Sequence, residues 1–207
     1  METQEALKSR SSVRHYSARP VPKEDLTKLV KFAGLAPSPH NEQMWHFKVV
    51  TNDKTKGEMA QVVLKELDRL FSSGSPDATT VEQIKKFSTF FKDAPVVIAV
   101  LMKPYRSVIS RVLDDIEMTH AEVNELRGHP DIQAIGAAIE NLLLAATDMG
   151  YGSCWLSGPM VARKSLEELL EVSEPWRMEA LVTVGHPTVK PKARTRKDVD
   201  EIVTFLE

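Results

Sequence analysis

Cysteine is almost absent from this chain of 207 residues, which contains only Cys154. A single cysteine excludes an intrachain disulfide, a multi-cysteine zinc site and an iron–sulfur cluster ligated by this chain alone. The six histidines are scattered, without partner ligands at metal-binding spacing, and we therefore predict no metal site. Cys154 lies mid-strand with no adjacent base in the sequence, so we interpret it as a buried structural thiol.

Long apolar runs and a charge excess of one sign are also missing. The longest uninterrupted apolar run, residues 96–102, is too short to cross a bilayer, and the first ten residues contain no apolar signal core. The 27 basic and 29 acidic residues give a formal net charge of -2. This balance argues against a broad nucleic-acid surface, although a local basic cluster could still bind one phosphate. We expect a cytoplasmic protein with no membrane or nucleic-acid partner.

No linker rich in glycine, serine or proline divides the chain, so we expect a single domain over residues 1–207. Strand and helix patterns alternate, which favours a mixed sheet surrounded by helices. The charged stretch 103–128 is expected to form a lid or peripheral arm. The predicted helices are residues 3–8, 22–35, 53–71, 81–91, 131–149 and 165–172. The predicted strands are residues 45–50, 94–102, 151–156 and 178–184, and residues 94–102 are expected to be covered on both faces.

Residues 131–149 form the most apolar of the predicted helices, with only a narrow polar remnant. Gly150 is placed to end it in the left-handed conformation, and the helix would be roughly 28 Å long. A helix that is apolar on most sides must be covered on most sides. Two further caps are predicted, Thr3 for the first helix and a Ser165–Glu168 capping box for the last.

Three polar residues near the N-terminus could form an anion site. If residues 10–16 are extended, Arg10, Ser12 and Arg14 lie on one side of the strand. Guanidinium groups and a hydroxyl suit a phosphate because each oxygen can accept a charge-assisted bond. Two solvated surface arginines are the alternative, and this segment alone does not decide between them. Phe87, Phe90 and Phe91 could wall a pocket, but we interpret them as core residues.

Four stretches, taken in order, resemble the flavin-dependent nitroreductase family. They are RSSVRHY, APSPHNEQMWHFKVV, GAAIENLLLAATDMGYGSCWLSGP and VGHPTVKPKARTRKDVDEIV. The resemblance covers nearly the whole chain and implies a nitroreductase-like α+β fold with a mixed, mostly antiparallel sheet. It also implies a homodimer with the long central helices in the interface and two FMN molecules in clefts between the subunits. A second subunit would then cover part of the apolar helix.

The resemblance also implies roles for individual residues. One group would contact the FMN phosphate, ribityl chain and ring edge: Arg10, Ser11, Ser12, Arg14, Arg194 and Arg196. A second group would reach the same FMN from the other subunit: Pro37, Ser38, Pro39, Asn41 and Gln43. Leu156, Ser157 and Gly158 would lie along the ring, with a backbone N–H near flavin N5. Gly158 would allow the backbone to approach the flat ring closely. Ser157 replaces an acidic residue found in some members, and Pro39 and His40 stand where small polar residues are common.

The implied activity is hydride transfer from NADH or NADPH, through flavin N5, to nitroaromatic, quinone or related acceptors by a ping-pong mechanism. No side chain is expected to act as general acid or base, since the flavin performs the chemistry. Two alternatives remain open. One is a flavin-binding storage or sensing protein with little turnover, and the other is a specialised dehydrogenase or dehalogenase-like member.

Overall fold

The structure is a computed structural model that describes residues 2–72, 74, 77–105, 112, 118–189 and 195–206. The α-helices in these ranges are α1 (Thr3–Ser9), α2 (Lys23–Ala33), α3 (Asp53–Phe71), α4 (Ala78–Thr89), α5 (His120–Leu126), α6 (Pro130–Asp148) and α7 (Arg163–Leu169). The strands are β1 (Trp45–Val50), β2 (Val96–Met102), β3 (Gly152–Leu156) and β4 (Arg177–Gly185). Short 3-10 helices occupy Pro39–Asn41, Phe90–Asp93, Gly158–Ala162 and Val199–Glu201.

The four strands form one sheet in the order β1-β2-β4-β3, and each neighbouring pair is antiparallel. Ser12 adds one parallel bridge to Ser153 at the β3 edge. The predicted α+β fold with a mixed, mostly antiparallel sheet is therefore confirmed. All seven residues of β2 are buried, which also confirms that this strand is covered on both faces.

Side chains on successive strand residues point to opposite faces of the sheet and form two apolar cores. On one face, Ile98 and Val182 pack with α2 and α6. On the other face, Val97 and Leu181 pack with α3 and α7. Full burial of each such aliphatic side chain is worth about 1.5–3 kcal/mol, so the sheet is stabilised from both sides.

Helix α6 matches the predicted central helix with both ends displaced by one residue. Gly150 has a φ of 80°, the left-handed conformation predicted for the helix stop. Ala138, Ile139 and Leu142 on α6 are completely buried within the chain, whereas Ile132 is 40% exposed. Neither α6 nor any other helix in the described ranges is long and apolar enough to cross a membrane.

Both predicted N-terminal helix caps, Thr3 and Ser165, are wrong. The N-cap of α1 is Glu2 rather than Thr3, and no side chain caps this helix. Helix α7 begins at Arg163, so Ser165 lies inside it and does not cap it. The physical reason is that the 3-10 turn Gly158–Ala162 leads directly into α7 and starts its helical hydrogen bonding two residues early.

A capping box occurs instead at the start of α5, within the stretch predicted to be a lid or arm. The Thr119 side chain accepts from the Glu122 backbone, and the Glu122 carboxylate accepts from the Thr119 backbone. Residues 106–111 and 113–117 of the predicted arm lie outside the described residues. The lid hypothesis therefore stays a prediction.

Helix α4 begins three residues earlier than predicted because Asp77 caps it by accepting from the Thr80 backbone N–H. The three phenylalanines near its end differ in burial. Phe91 is completely buried and Phe90 is partly buried, as expected of core residues. Phe87, in the last turn of α4, is 62% exposed, so its assignment to the core is wrong.

Candidate functional site

The N-terminal segment (residues 10–16) runs beside β3 in an extended conformation, as predicted. The Val13 backbone N–H donates to the Ser153 carbonyl over 2.9 Å, and Ser12 forms the parallel bridge to the same residue. Gly152 makes this close approach possible. A Cβ atom at that position would lie 2.7 Å from Val13 Cγ1, which is closer than side-chain carbons can pack.

Tyr16 fixes the far end of the segment to the sheet. Its hydroxyl donates to the Val13 carbonyl and lies 2.8 Å from Thr183 Oγ1 on β4. The Thr188 backbone N–H donates to the His15 carbonyl, so the chain after β4 holds the segment from the other side. Burial raises the pKa of the Tyr16 hydroxyl far above its ordinary value. The segment is therefore bonded to two strands and one following loop.

Cys154, on β3 beside the N-terminal segment, is 1% exposed. Burial raises the pKa of this thiol, while Arg14, the Ser12 hydroxyl and Arg10 each offset part of that effect. The prediction that Cys154 is buried is confirmed. The grouping of Arg10, Ser12 and Arg14 around one anion stays a prediction.

The members of this group differ in their immediate partners. Arg10 Nε lies 3.4 Å from a carboxylate oxygen of Glu140 on α6. The Ser11 hydroxyl is buried and has no hydrogen-bond partner among the described residues. A buried hydroxyl without a hydrogen-bond partner is a potential donor to a bound group.

Arg14 lines a cleft of about 940 Å³ between the N-terminal segment and helices α3 and α4. This volume is within the usual range of cofactor and ligand pockets. The segment and the loop after β4 contribute Arg14, His15, Tyr16 and Thr188. Helix α3 contributes Gln61, Leu64, Lys65 and Asp68, and α4 contributes Glu82, Lys85, Lys86 and Thr89. Phe90, Lys92 and Asp93 complete the lining.

The lining of this cleft is basic. It contains five lysine or arginine side chains and three carboxylates, an excess of two positive charges. One of the carboxylates, on Asp68, forms an ion pair with Lys85 and so connects α3 to α4. An excess of guanidinium and ammonium groups in a concave site favours a ligand with a phosphate or a similar anion. The sequence reasoning missed the α3 and α4 wall, because no local motif indicates that these two helices face the N-terminal segment.

The turn after β3 lies next to α4 as well. Leu156 is buried, while Ser157 and Gly158 are exposed. A Cβ atom on Gly158 would lie 3.2 Å from the Ser88 hydroxyl oxygen. Within the chain, the close approach at Gly158 is therefore to Ser88, near the end of α4. The same helix lines the cleft, so α4 contacts the turn and also forms one wall of the cleft.

The 37–43 loop is bonded mainly to itself. The Gln43 backbone N–H donates to Ser38 Oγ over 3.0 Å, and the Gln43 side chain donates to the Asn41 carbonyl over 3.3 Å. Pro37 is exposed and Pro39 opens a short 3-10 turn. In the described parts of the chain, no residue of this loop lines the cleft of its own subunit. The structure thus does not bring the loop and the N-terminal segment together within one chain.

The C-terminal arginines are placed only in part. Arg196 is described and exposed, whereas Arg194 lies outside the described residues. The described chain stops at Val189 and resumes at Thr195. Thr188, next to the last residue described before this gap, lines the cleft. Any contact of Arg194 or Arg196 with a ligand in the cleft stays a prediction.

The fold and the cleft define a class of protein: an α+β domain with a helix-flanked antiparallel sheet and a basic, cofactor-sized cleft beside one sheet edge. The model of the Nitroreductase family matches residues 7–186 of this chain. The chain belongs to the nitroreductase family, as its sequence motifs predict.

Individual relatives agree with this assignment. An Archaeoglobus fulgidus protein, provisionally named NADH dehydrogenase/NAD(P)H nitroreductase, is 32% identical over 86% of this chain and 82% of its own length. The crystal structure of a BluB-like flavoprotein from Clostridium difficile 630 is 32% identical and covers both chains completely with a TM-score of 0.89. A nitroreductase with bound FMN from Bacteroides fragilis is 22% identical, with a TM-score of 0.71 over both complete chains, and shows the fold alone.

Proposed function

We propose that this protein is an FMN-dependent oxidoreductase that transfers hydride from NADH or NADPH to a small acceptor such as a nitroaromatic or a quinone. The observation that carries the proposal is the basic cleft between the N-terminal segment and helices α3 and α4, in a chain of the nitroreductase family. Two relatives at 32% identity support the cofactors. One is named a flavoprotein, and the other is provisionally named for NAD(P)H-dependent reduction.

The residues around the cleft fit the phosphate end of FMN. Arg14 and the cleft lysines supply positive charge. The unpartnered Ser11 hydroxyl, three residues before Arg14 and outside the cleft lining, is a buried donor. A phosphate dianion would neutralise the positive charge and accept a hydrogen bond from the hydroxyl, since each of its oxygens accepts charge-assisted hydrogen bonds. Glu140 would share Arg10 with this anion. The proposed contacts with the FMN phosphate, ribityl chain and ring edge come from Arg10, Ser11, Ser12 and Arg14. Arg196, with Arg194, is proposed to contact the phosphate.

The turn after β3 is proposed to hold the ring. Leu156, Ser157 and Gly158 would lie along one face, with a backbone N–H directed at N5, and the contact with Ser88 would keep this turn in place. When bound, FMN supplies the redox chemistry, accepting and returning a hydride at N5. The protein contributes position and charge. Its guanidinium groups stabilise the negative charge that the ring gains on reduction.

We propose that NAD(P)H and the acceptor occupy the same open face of the site in succession. In this proposal the site admits one planar partner at a time, and the order needs no catalytic acid or base. Release of the oxidised nicotinamide then precedes entry of the acceptor, which is the ping-pong sequence. Steady-state kinetics would give parallel double-reciprocal lines at several fixed acceptor concentrations. Intersecting lines would contradict the proposed order.

A homodimer with one FMN site at each end of the interface is part of the proposal. The 37–43 loop does not line its own cleft, and it offers polar groups to a neighbouring chain. The proposed contacts from the partner are Pro37, Ser38, Pro39, Asn41 and Gln43. A second subunit would also supply the missing cover for α6.

Exposed apolar side chains support the same assembly. Ile132 on α6 and Trp155 on β3 are 40% and 43% exposed, and Leu35 after α2 is 68% exposed. Near the C-terminus, Phe205 and Leu206 are 81% and 95% exposed. Large apolar side chains left in water on a single chain favour an interaction surface when they cluster. Sedimentation equilibrium should give twice the 23.2 kDa chain mass, and a monomer that binds FMN fully would overturn the shared site.

The direct test of function is a titration of the purified protein with FMN, followed by stopped-flow mixing with NADH or NADPH. Bound flavin should lose its visible absorbance on mixing and regain it when a quinone or nitroaromatic is added. A protein that binds no FMN would overturn the proposal. Flavin binding without steady-state NAD(P)H oxidation across a panel of acceptors would instead favour a storage or sensing role. Turnover confined to one specialised donor or to a halogenated substrate would favour the dehydrogenase or dehalogenase alternative.

A further inference from the structure

We propose that Tyr105 is a positioning residue for flavin binding, which acts by holding the 37–43 loop in place through His40. This inference rests on the proposed function, in which the loop contacts the FMN bound by the partner subunit. Tyr105 lies three residues after β2 and has no place among the family motifs quoted above. Its role follows from the contacts of its hydroxyl and of its ring.

The hydroxyl of Tyr105 is hydrogen bonded to the loop. Its oxygen lies 3.0 Å from His40 Nδ1, and the two rings meet edge to face with centroids 6.1 Å apart. Tyr105 is 2% exposed, whereas His40 lies at the surface. A buried phenol needs a hydrogen-bond partner, and an imidazole that carries its proton on Nε2 accepts at Nδ1. The bond therefore connects the protein interior to the tip of an exposed loop.

The loop needs such a connection because its own backbone does not determine where it lies. His40, Asn41 and Gln43 all have positive φ angles, between 47° and 56°, although none is glycine. Non-glycine residues in this region are uncommon and persist only where the surroundings impose the conformation. The hydrogen bonds of Ser38 and Gln43 join parts of the loop to each other. They fix its shape and leave its orientation to outside contacts.

Tyr105 is itself held firmly enough to provide that orientation. Its side chain packs with Met44 and Ala134, the latter on α6. The Arg127 guanidinium lies 5.1 Å from the ring centroid and makes a cation–π contact with it. The Lys103 backbone N–H donates to the Met44 carbonyl, which fixes the chain just after the loop. A rigid anchor that preorganises a binding loop lowers the entropy lost when the ligand binds.

The experiment compares FMN affinity in the full-length protein with Tyr105→Phe, which removes the hydroxyl and keeps the ring. Tyr151→Phe is the matched control, because the Tyr151 hydroxyl also makes a side-chain bond, to Asp25 on α2 over 2.7 Å, and does not touch the loop. We expect Tyr105→Phe to raise the FMN dissociation constant about five- to tenfold, the usual effect of one lost hydrogen bond. Tyr151→Phe should leave it unchanged within about twofold.

A double-mutant cycle separates positioning from general destabilisation. If Tyr105 acts through His40, His40→Ala should weaken FMN binding, and adding Tyr105→Phe should weaken it no further. Additive effects would overturn the route through His40. Equal dissociation constants for the unsubstituted protein and Tyr105→Phe would overturn the inference while leaving the proposed function intact. Failure of the unsubstituted protein to bind FMN would overturn both. Thermal unfolding of the apo-protein serves as the folding check, with similar midpoints expected for the two tyrosine variants.

Discussion

The N-terminal segment and the 37–43 loop are both proposed to bind FMN, yet the fold holds them in opposite ways. The segment is bonded to β3 through Val13 and to β4 through Tyr16, so its position depends on the sheet. The loop is bonded to itself and to the body of the protein through Tyr105. A sheet-anchored segment can build a cleft within its own subunit. A projecting loop is suited to a site on another copy of the chain.

This contrast predicts which changes affect binding and stability together and which affect binding alone. Substitutions in the segment should disturb the sheet edge as well as the cleft. Substitutions in the loop should weaken binding while the folded subunit keeps nearly its full stability. The predictions below run from the largest expected effect to the smallest.

The largest effect is expected from removing the proposed phosphate ligands on both sides of the cleft. Arg14→Ala combined with Arg196→Ala should raise the FMN dissociation constant by about 100-fold or more, because each charge-assisted hydrogen bond contributes about 1.5–3 kcal/mol. Quenching of flavin fluorescence on binding measures the affinity. Arg69→Ala is the control, since Arg69 is an exposed arginine on α3 that pairs with Glu66. Unchanged affinity in the double variant would show that the phosphate lies elsewhere.

Gly152→Ala tests whether the segment depends on its close contact with β3. The new methyl group would lie 2.7–2.8 Å from three side-chain atoms of Val13, so the segment must move away. We expect a loss of about 2 kcal/mol in unfolding free energy, typical of overpacking, together with weaker FMN binding. Urea unfolding with FMN titration of the same samples measures both quantities.

Gly57→Ala provides the control for that substitution. A Cβ atom at Gly57, within α3, would meet no atom within 4 Å. Alanine there should stabilise the protein by about 0.5–1 kcal/mol through helix propensity and leave FMN affinity unchanged. If both glycine variants behave alike, the contact between Val13 and β3 does not control the position of the segment.

Tyr16 predicts a dependence of stability on alkaline pH. Burial raises the pKa of its hydroxyl above the ordinary value of 10.0, so the folded state retains the proton more strongly than the unfolded state. The stabilisation is fully present below about pH 10 and is lost as the pH rises above that value. Tyr16→Phe should cost about 1 kcal/mol at neutral pH and should make the decline above pH 10 shallower.

Tyr151 allows the contribution of Tyr16 to be isolated. Burial, and then the hydrogen bond and charge of Asp25, raise the pKa of Tyr151 to about 12. The part of the stability loss at alkaline pH that is due to Tyr151 should therefore disappear in Tyr151→Phe and persist in Tyr16→Phe. Denaturant unfolding at a series of pH values on either side of the ordinary tyrosine pKa measures these slopes. Identical slopes in the two variants and the unsubstituted protein would show that neither tyrosine is linked to folding.

Much of the fold could be predicted because its signals are local. The ends of β1 (Trp45–Val50) and α3 (Asp53–Phe71) match the predicted ends, since alternation, periodicity and capping residues agree there. The cap at Ser165 failed for a non-local reason. The 3-10 turn that precedes the helix makes it begin early. No residue pattern within the helix indicates this early start.

The candidate site could be predicted on one side only. Arg10, Ser12 and Arg14 alternate along an extended segment, and that periodicity predicts that they lie on one side of it. The opposite wall, with Lys65 and Lys85, depends on how two helices pack against the segment, which hydrophobic periodicity does not specify. The role proposed for the 37–43 loop depends further on a second chain. A contact is therefore harder to predict from the sequence when it depends on tertiary packing, and harder still when it depends on a second chain.

The smallest effect is expected in the loop itself. Ser38→Ala removes the acceptor for the Gln43 backbone N–H, which lies 3.0 Å away, and the loop is bonded chiefly to itself. Because this bond is exposed, water replaces it at a cost of about 0.5 kcal/mol or less in unfolding free energy. FMN affinity should nevertheless fall about threefold. Without the bond the free loop is less ordered, and FMN binding must then order it at an entropic cost. The comparison with Gly152→Ala is decisive: a Ser38→Ala variant that loses as much stability as Gly152→Ala would show that the loop, too, is part of the folded core of its own subunit.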